Sequence, residues 1–248
     1  MTTYITIAVK SGGEGKTRTA VDLSHRLAQD GSKTLLVGFD SQGNDSTYLG
    51  FDPEPAVFNF LLADIPVANC LRATSRRNLW LMPGNHKNLI IDRSDIMRDD
   101  IVAQFKDNLS SLFDYIIFDT PPAGLLQESA LAAADIIVIP SKAECKGLDA
   151  INQTLMAINR LHAGKEKQPY TMLVNTMYDR RISEHRTNAD LIQANFPTIY
   201  TGVIPYRAKM IECASYGKTI WEHDPNCDAC HVYNALIDII TAKAGSNE

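Results

Sequence analysis

Seven residues near the start of the chain, Ser11-Gly12-Gly13-Glu14-Gly15-Lys16-Thr17, have the types and spacing of a phosphate-binding loop. Glycines let the backbone turn so that successive N–H groups face one anion, and a helix beginning at the loop adds its positive end. Lys16 then sets a point charge against the terminal phosphates, and the Thr17 hydroxyl is placed to ligate Mg²⁺. The segment departs from G-x-x-x-x-G-K-[ST] at one place, since the position five before Gly15 is Lys10. The expected triphosphate contacts are Ser11, Gly12, Gly13, Glu14, Gly15, Lys16, Thr17 and Arg18.

Two further carboxylates stand where such a loop needs them. An apolar run from Tyr115 to Phe118 ends in Asp119 and is then broken by Pro121 and Pro122. Such an acid sits at the carboxyl end of a strand, where open α/β sheets bind ligands, and suits a Mg²⁺ water or the Thr17 hydroxyl. Its plainer alternative is the cap of a turn. A second apolar run, Leu35-Leu36-Val37, leads into Gly38-Phe39-Asp40-Ser41-Gln42-Gly43-Asn44.

The elements that carry these residues follow from the pattern of the chain. Short β-branched runs alternate with amphipathic stretches, the signature of a mostly parallel twisted sheet with helices on both faces. Strands are predicted over 4–9, 34–39, 79–82, 115–119, 136–139, 171–175 and 202–204, with helices over 16–29, 95–109, 148–161 and 229–244. Residues 52–88 carry four prolines and predict only a small helix over the site. At 248 residues and 45% hydrophobic content, the whole chain, 1–248, reads as one α/β domain. A net charge of −5 excludes wholesale attraction to nucleic acid and leaves local basic patches. Five cysteines without a signal peptide or long apolar span read as free thiols in a reducing cytoplasm. Cys227-Asp228-Ala229-Cys230, one C-x-x-C with no second pair, is a weak metal signal and equally a loop running into a helix.

The order x-Gly-Gly-x-Gly-Lys-Thr, the Asp119 strand and two late blocks together resemble the ParA/MinD family of deviant Walker A ATPases. The late blocks are Asn175-Thr176-Met177-Tyr178-Asp179-Arg180-Arg181 and Val203-Ile204-Pro205-Tyr206-Arg207-Ala208-Lys209, so the likeness runs from Ile5 to Ile220. It implies a P-loop NTPase fold, ATP and Mg²⁺ as cofactors, Mg²⁺ held through Thr17, Asp40 and Asp119, and an adenine framed by Asn175, Pro205 and Arg207. Family members read Asp-x-Asp-Pro-Gln-Gly-Asn after the second strand. Here Gly38 replaces the first aspartate and Ser41 the proline, which predicts tight ATP binding with slow hydrolysis.

The resemblance also implies an ATP-dependent sandwich homodimer in which a loop lysine reaches the partner's phosphates. Ser11 stands at that position and cannot supply the charge. Lys10, Lys142 and Lys146 are the candidates to replace it, and Lys146 is favoured as a catalytic cation beside Lys16 and Asp40. The serine resembles the McdA branch, which spaces carboxysomes along the nucleoid. Two protomers would sum Arg180, Arg181, Arg186, Arg207, Lys209 and Lys218 into a patch for nonspecific DNA. The implied partners are therefore a second copy, nonspecific DNA and a cargo-linked activating protein, in a cytoplasmic, nucleoid-associated setting. Plasmid or chromosome partition is the alternative cargo. A MinD-like membrane switch is disfavoured because the last helix has only Lys243 as a cation. A nitrogenase-iron-protein-like enzyme is disfavoured because Cys145 lacks a second cluster ligand after the Asp119 strand.

Overall fold

In the computed structural model, residues 1–245 are described. The chain runs β1 (Thr3–Ile7), α1 (Lys16–Gln29), β2 (Thr34–Gly38), α2 (Asn44–Leu49), α3 (Ala56–Leu62), α4 (Val67–Cys70), β3 (Arg72–Ala73) and β4 (Leu79–Met82). It continues with α5 (Asn88–Ile91), α6 (Arg98–Leu109), β5 (Tyr115–Asp119), α7 (Leu125–Ala133), β6 (Ile136–Lys142) and α8 (Gly147–Leu161). The last elements are β7 (Tyr170–Tyr178), α9 (Ser183–Asn195), β8 (Tyr200–Pro205), α10 (Ala208–Ser215), α11 (Ile220–His223) and α12 (Asp228–Gly245). They build one eight-stranded sheet in the order β3-β4-β2-β5-β1-β6-β7-β8. Only the two-residue edge strand β3 runs antiparallel to its neighbour.

The sheet is parallel because both of its faces are apolar. Leu36, Ile117, Val138 and Val174 point into one cluster with Val21, Leu23, Tyr233 and Ile240 of α1 and α12. Their neighbours in sequence, Leu35, Val37, Ile116 and Phe118, point the other way, against Phe60 of α3 and Phe105 of α6. Further along that second face, Ile137, Ile139 and Leu173 pack with Ile151 and Ile158 of α8 and Ile192 of α9. A strand buried on both sides needs no polar alternation, so these runs read as continuous β-branched segments. The seven predicted strands are all present, with β6 and β7 longer than expected and β3 unforeseen. The final helix packs onto the sheet through Tyr233, Leu236, Ile237 and Ile240, as its stripe indicated.

Register places the chemistry. Ile7 is opposite Asp119, and Asp119 is opposite Gly38, so β1, β5 and β2 finish level with one another. The segments that leave them, beginning at Ala8, Phe39 and Thr120, therefore open onto one edge of the sheet. No helix among the described residues is long and apolar enough to cross a membrane.

Candidate functional site

The loop after β1 is shaped for an anion. Gly15 adopts the left-handed region, φ 84 and ψ 17, as the residue preceding α1, and no side chain caps the helix. The first N–H groups of α1 are thus left for a ligand, in a conformation that disfavours any side chain at position 15. Lys16 is buried and donates from Nζ to the Ser11 carbonyl at 2.7 Å. Burial lowers its pKa, while Asp119, Asp40 and Glu14 pull it back up. The ammonium therefore rests on a carbonyl of its own loop.

The side chains of Ser11 and Glu14 brace the loop. Glu14 is buried; its Oε1 accepts from the Ser11 hydroxyl at 2.9 Å and its Oε2 from the Lys142 backbone N–H at 2.6 Å. Thr176 on β7 donates to the Glu14 carbonyl at 2.9 Å. These bonds tie the loop to β6 and β7 and hold the glycines in place. The Lys142 ammonium stands 4.0 Å from where a side chain on Gly13 would begin, and pairs with Glu144 at 3.8 Å. A cation is thus already present beside the loop from the same chain.

On the opposite wall, Asp119 is fully buried and neither carboxylate oxygen has a hydrogen-bond partner. Its pKa is held well above the usual carboxylate range by burial, then by Asp45, with Asp40 adding; the Thr17 hydroxyl and Lys16 oppose the shift. A buried acid with bare oxygens beside a phosphate site fits a hard divalent cation. Among the described residues no group of three or more His, Cys, Asp or Glu could hold a metal alone. That suits Mg²⁺, which keeps several waters and takes its remaining oxygens from phosphates. Thr17, Asp119 and Asp40 would hold it. Asp40 lines the cleft, and its Oδ1 accepts the Gln42 N–H at 3.1 Å.

An apolar cavity of about 150 Å³ lies between the loop and the late blocks. Its walls include Gly15, Tyr48, Met177, Pro205, Tyr206 and Arg207. Arg18 lies in that wall with its guanidinium 5.1 Å over the Tyr48 ring, bonded to Asp22 at 2.7 Å and to Cys213 Sγ at 3.1 Å. Pro205 and Arg207 line the cavity. Asn175 turns instead to the Ser141 carbonyl at 3.0 Å, and its successors Thr176 and Met177 reach the cavity. Met177 does so from a left-handed backbone, φ 52, a strained setting for a non-glycine residue.

Four contributors escaped the sequence reading: Tyr48, Asn88, Asp92 and Asp45. Asn88 donates to the carbonyls of Gly38 and Phe39 at 3.0 and 3.1 Å, clamping the end of β2. Asp92 lines the cleft and accepts the first N–H of α7, from Leu125, at 2.8 Å. Asp45 is fully buried, and burial first, with Asp40 adding, raises its pKa to about 7. A local signal existed only for Asp45, an acid in the first turn of a helix, where it reads as an ordinary terminus residue.

Lys146 immediately precedes α8, exposed, and its ammonium makes no ion pair among the described residues. The six late-block cations are all exposed, and their surroundings differ. Arg181 forks onto Asp179 at 2.6 Å, Lys209 reaches Asp224 at 3.4 Å, and Arg207 pairs with Asp228. Arg186 donates to the Arg180 carbonyl at 2.6 Å, whereas Arg180 and Lys218 form no ion pair among the described residues. Cys227 and Cys230 are buried free thiols where the loop enters α12, and burial raises the pKa of each.

The comparisons with known proteins agree with this geometry. A family model described as an AAA domain matches residues 2–169. The chromosome partitioning protein ParA of Myxococcus xanthus is 31% identical over 241 residues, covering 94% of this chain and 85% of that protein. The chromosome-partitioning ATPase Soj of Treponema pallidum is 30% identical over 246 residues, covering 95% and 96%. In fold, the chain is similar to nucleotide-free McdA of Cyanothece, with a TM-score of 0.86 at 22% identity over 97% of this chain and 100% of that one. A buried Lys16 against the loop, a bare Asp119 across from it and this shared sequence lead to one conclusion: the chain belongs to the ParA/Soj family of ATPases.

Proposed function

We propose that this ATPase works as a positioning switch: with ATP bound, two copies close face to face, the dimer holds nonspecific DNA, and an activating partner on a cargo releases it by stimulating hydrolysis. One observation carries the reading. Pro205, Tyr206 and Arg207 belong both to the wall of the base cavity and to the groove that contains Arg180 and Arg181. A nucleotide seated in the first touches the segment that shapes the second, so occupancy and DNA affinity share three residues. In the dimer, Lys146 supplies the charge that Ser11 cannot, reaching the partner's phosphates from the head of α8.

The cargo in this reading is the carboxysome, by the McdA-like serine and the likeness of fold. Chromosome or plasmid partition is the second reading, favoured by the names of the relatives at 30 and 31% identity. A gel shift on nonspecific DNA with ATP, ADP or no nucleotide tests the switch. Retardation is expected with ATP alone and fading at raised salt; equal retardation in all three lanes contradicts it. Lys146→Ala should abolish the ATP-dependent dimer while leaving ATP binding by the monomer intact, and unchanged dimer formation would exclude this role.

A further inference from the structure

Gly38 is not followed by open space. A β-carbon added there would lie 2.3 Å from Oδ2, 2.6 Å from Cγ and 2.7 Å from Oδ1 of Asp45. The volume into which a side chain at 38 would project is already filled, and what fills it is a carboxylate. That carboxylate comes from the first turn of α2, seven residues on, where the chain folds back over the end of β2. It is fully buried; Oδ1 has no hydrogen-bond partner, and Oδ2 has only the Ser46 hydroxyl at 3.4 Å. Gly38 and Asp119 face each other in the strand register, so Asp45 comes to lie beside the other buried, unpartnered acid. Two acids buried in one dry corner repel as carboxylates, and a polar or cationic group entering between them would relieve that cost.

We infer that Asp45, carried in on α2, replaces the acid that β2 lacks at Gly38 and positions the attacking water for phosphoryl transfer. The inference rests on the ATPase reading of the site. It also revises the expectation drawn from Gly38: the carboxylate is supplied from another position, and the slow hydrolysis predicted from its loss no longer follows. Asp45 is a positioning residue, orienting a water held between the terminal phosphate and the buried acids. A purely structural alternative exists, because an acid in the first turn of α2 also complements the positive end of that helix. The test has to separate the two.

Four proteins do so: the wild type, Asp45→Asn, Gly38→Asp, and the double variant Gly38→Asp/Asp45→Ala. Each is measured for thermal unfolding without nucleotide, for binding of a fluorescent ATP analogue, and for single-turnover hydrolysis with Mg²⁺ and nonspecific DNA. Asp45→Asn keeps the shape and the helix-end acceptor, so it should bind ATP within about threefold of wild type yet hydrolyse it about tenfold or more slowly. Gly38→Asp forces two carboxylates into one volume and should lower the melting temperature by about 5 °C or more. The double variant should regain that stability together with most of the hydrolysis rate. Hydrolysis by Asp45→Asn at the wild-type rate would overturn the inference, as would a double variant no better than Gly38→Asp alone. A wild type that binds ATP without turning it over also contradicts the inference while leaving nucleotide binding intact. Failure of the wild type to bind ATP contradicts instead the reading of the site beneath it.

Discussion

Asp119 shows how a single residue is held at a disadvantage until its ligand arrives. Both of its oxygens are buried and bare, a state that destabilises a protein by about 1–3 kcal/mol or more when nothing compensates it. Asp119→Asn should therefore raise the melting temperature of the nucleotide-free protein at pH 7.5 while weakening Mg²⁺-dependent ATP binding about tenfold or more. A calorimetric pair with and without Mg²⁺-ATP reads both, and a variant less stable than wild type without nucleotide would contradict this role of the acid. Gly15 is constrained from the other side. Its φ of 84 and the Thr176 side chain 3.5 Å from an added β-carbon mean that Gly15→Ala strains the loop by about 1 kcal/mol or more. Because the strained residue immediately precedes α1, ATP binding should fall more steeply than stability, as titration of the variant beside a melting curve would show.

Among the elements, α1 holds the late part of the chain. Asp22 accepts the Ile220 N–H at 3.1 Å, the Trp221 indole donates to the Asp22 carbonyl at 2.8 Å, and His25 Nδ1 meets the Thr219 hydroxyl at 2.7 Å. Burial drives the His25 pKa down to about 4, with Arg76 and Arg26 adding and Glu222 opposing. A histidine kept neutral in the fold below its ordinary value of 6.5 contributes stability that is present above pH 6.5 and is lost as pH falls toward 4. Melting temperatures between pH 7.5 and 4.5 should drop with a component that His25→Gln removes; parallel curves for the two proteins would refute it. Element by element, the sequence was legible where burial was simple. The central strands are apolar on both faces, and α1 and α8 carry long apolar stripes, so their type and place followed from pattern. The short α2 was not legible, because its six polar-rich residues owe their helix to Gly43 and Gly50 at its ends and to packing through Leu49. With α2 hidden, Asp45 was hidden too. Local spacing pointed to Lys16, Thr17 and Asp119 and the family likeness to Asp40, whereas the meeting of Asp45 with Gly38 depends on a chain reversal that no period encodes. The bonds of Glu14 and Asn175 to β6 were not legible either, since they join residues far apart in the chain.

For the whole molecule, the proposed DNA binding by an acidic chain would have to run through a small set of cations that its own acids leave free. Arg181, Arg207 and Lys209 each have a carboxylate partner, and Arg180, Arg186 and Lys218 do not among the described residues. Arg180→Ala and Lys218→Ala should therefore weaken ATP-dependent DNA binding more than Arg181→Ala. Each should lower the slope of log affinity against log salt by about one for every phosphate that the removed cation neutralises in each protomer. Fluorescence anisotropy at three salt concentrations distinguishes them, and a larger effect for Arg181→Ala would show that the paired arginine is released for DNA. The proposed switch would depend on ATP joining two copies, although position 11 carries a serine. Light scattering of the purified protein with Mg²⁺ and saturating ATP tests that most directly. Twice the mass of one chain is expected with ATP and a single chain with ADP; single chains under both conditions would contradict the ATP-driven dimer.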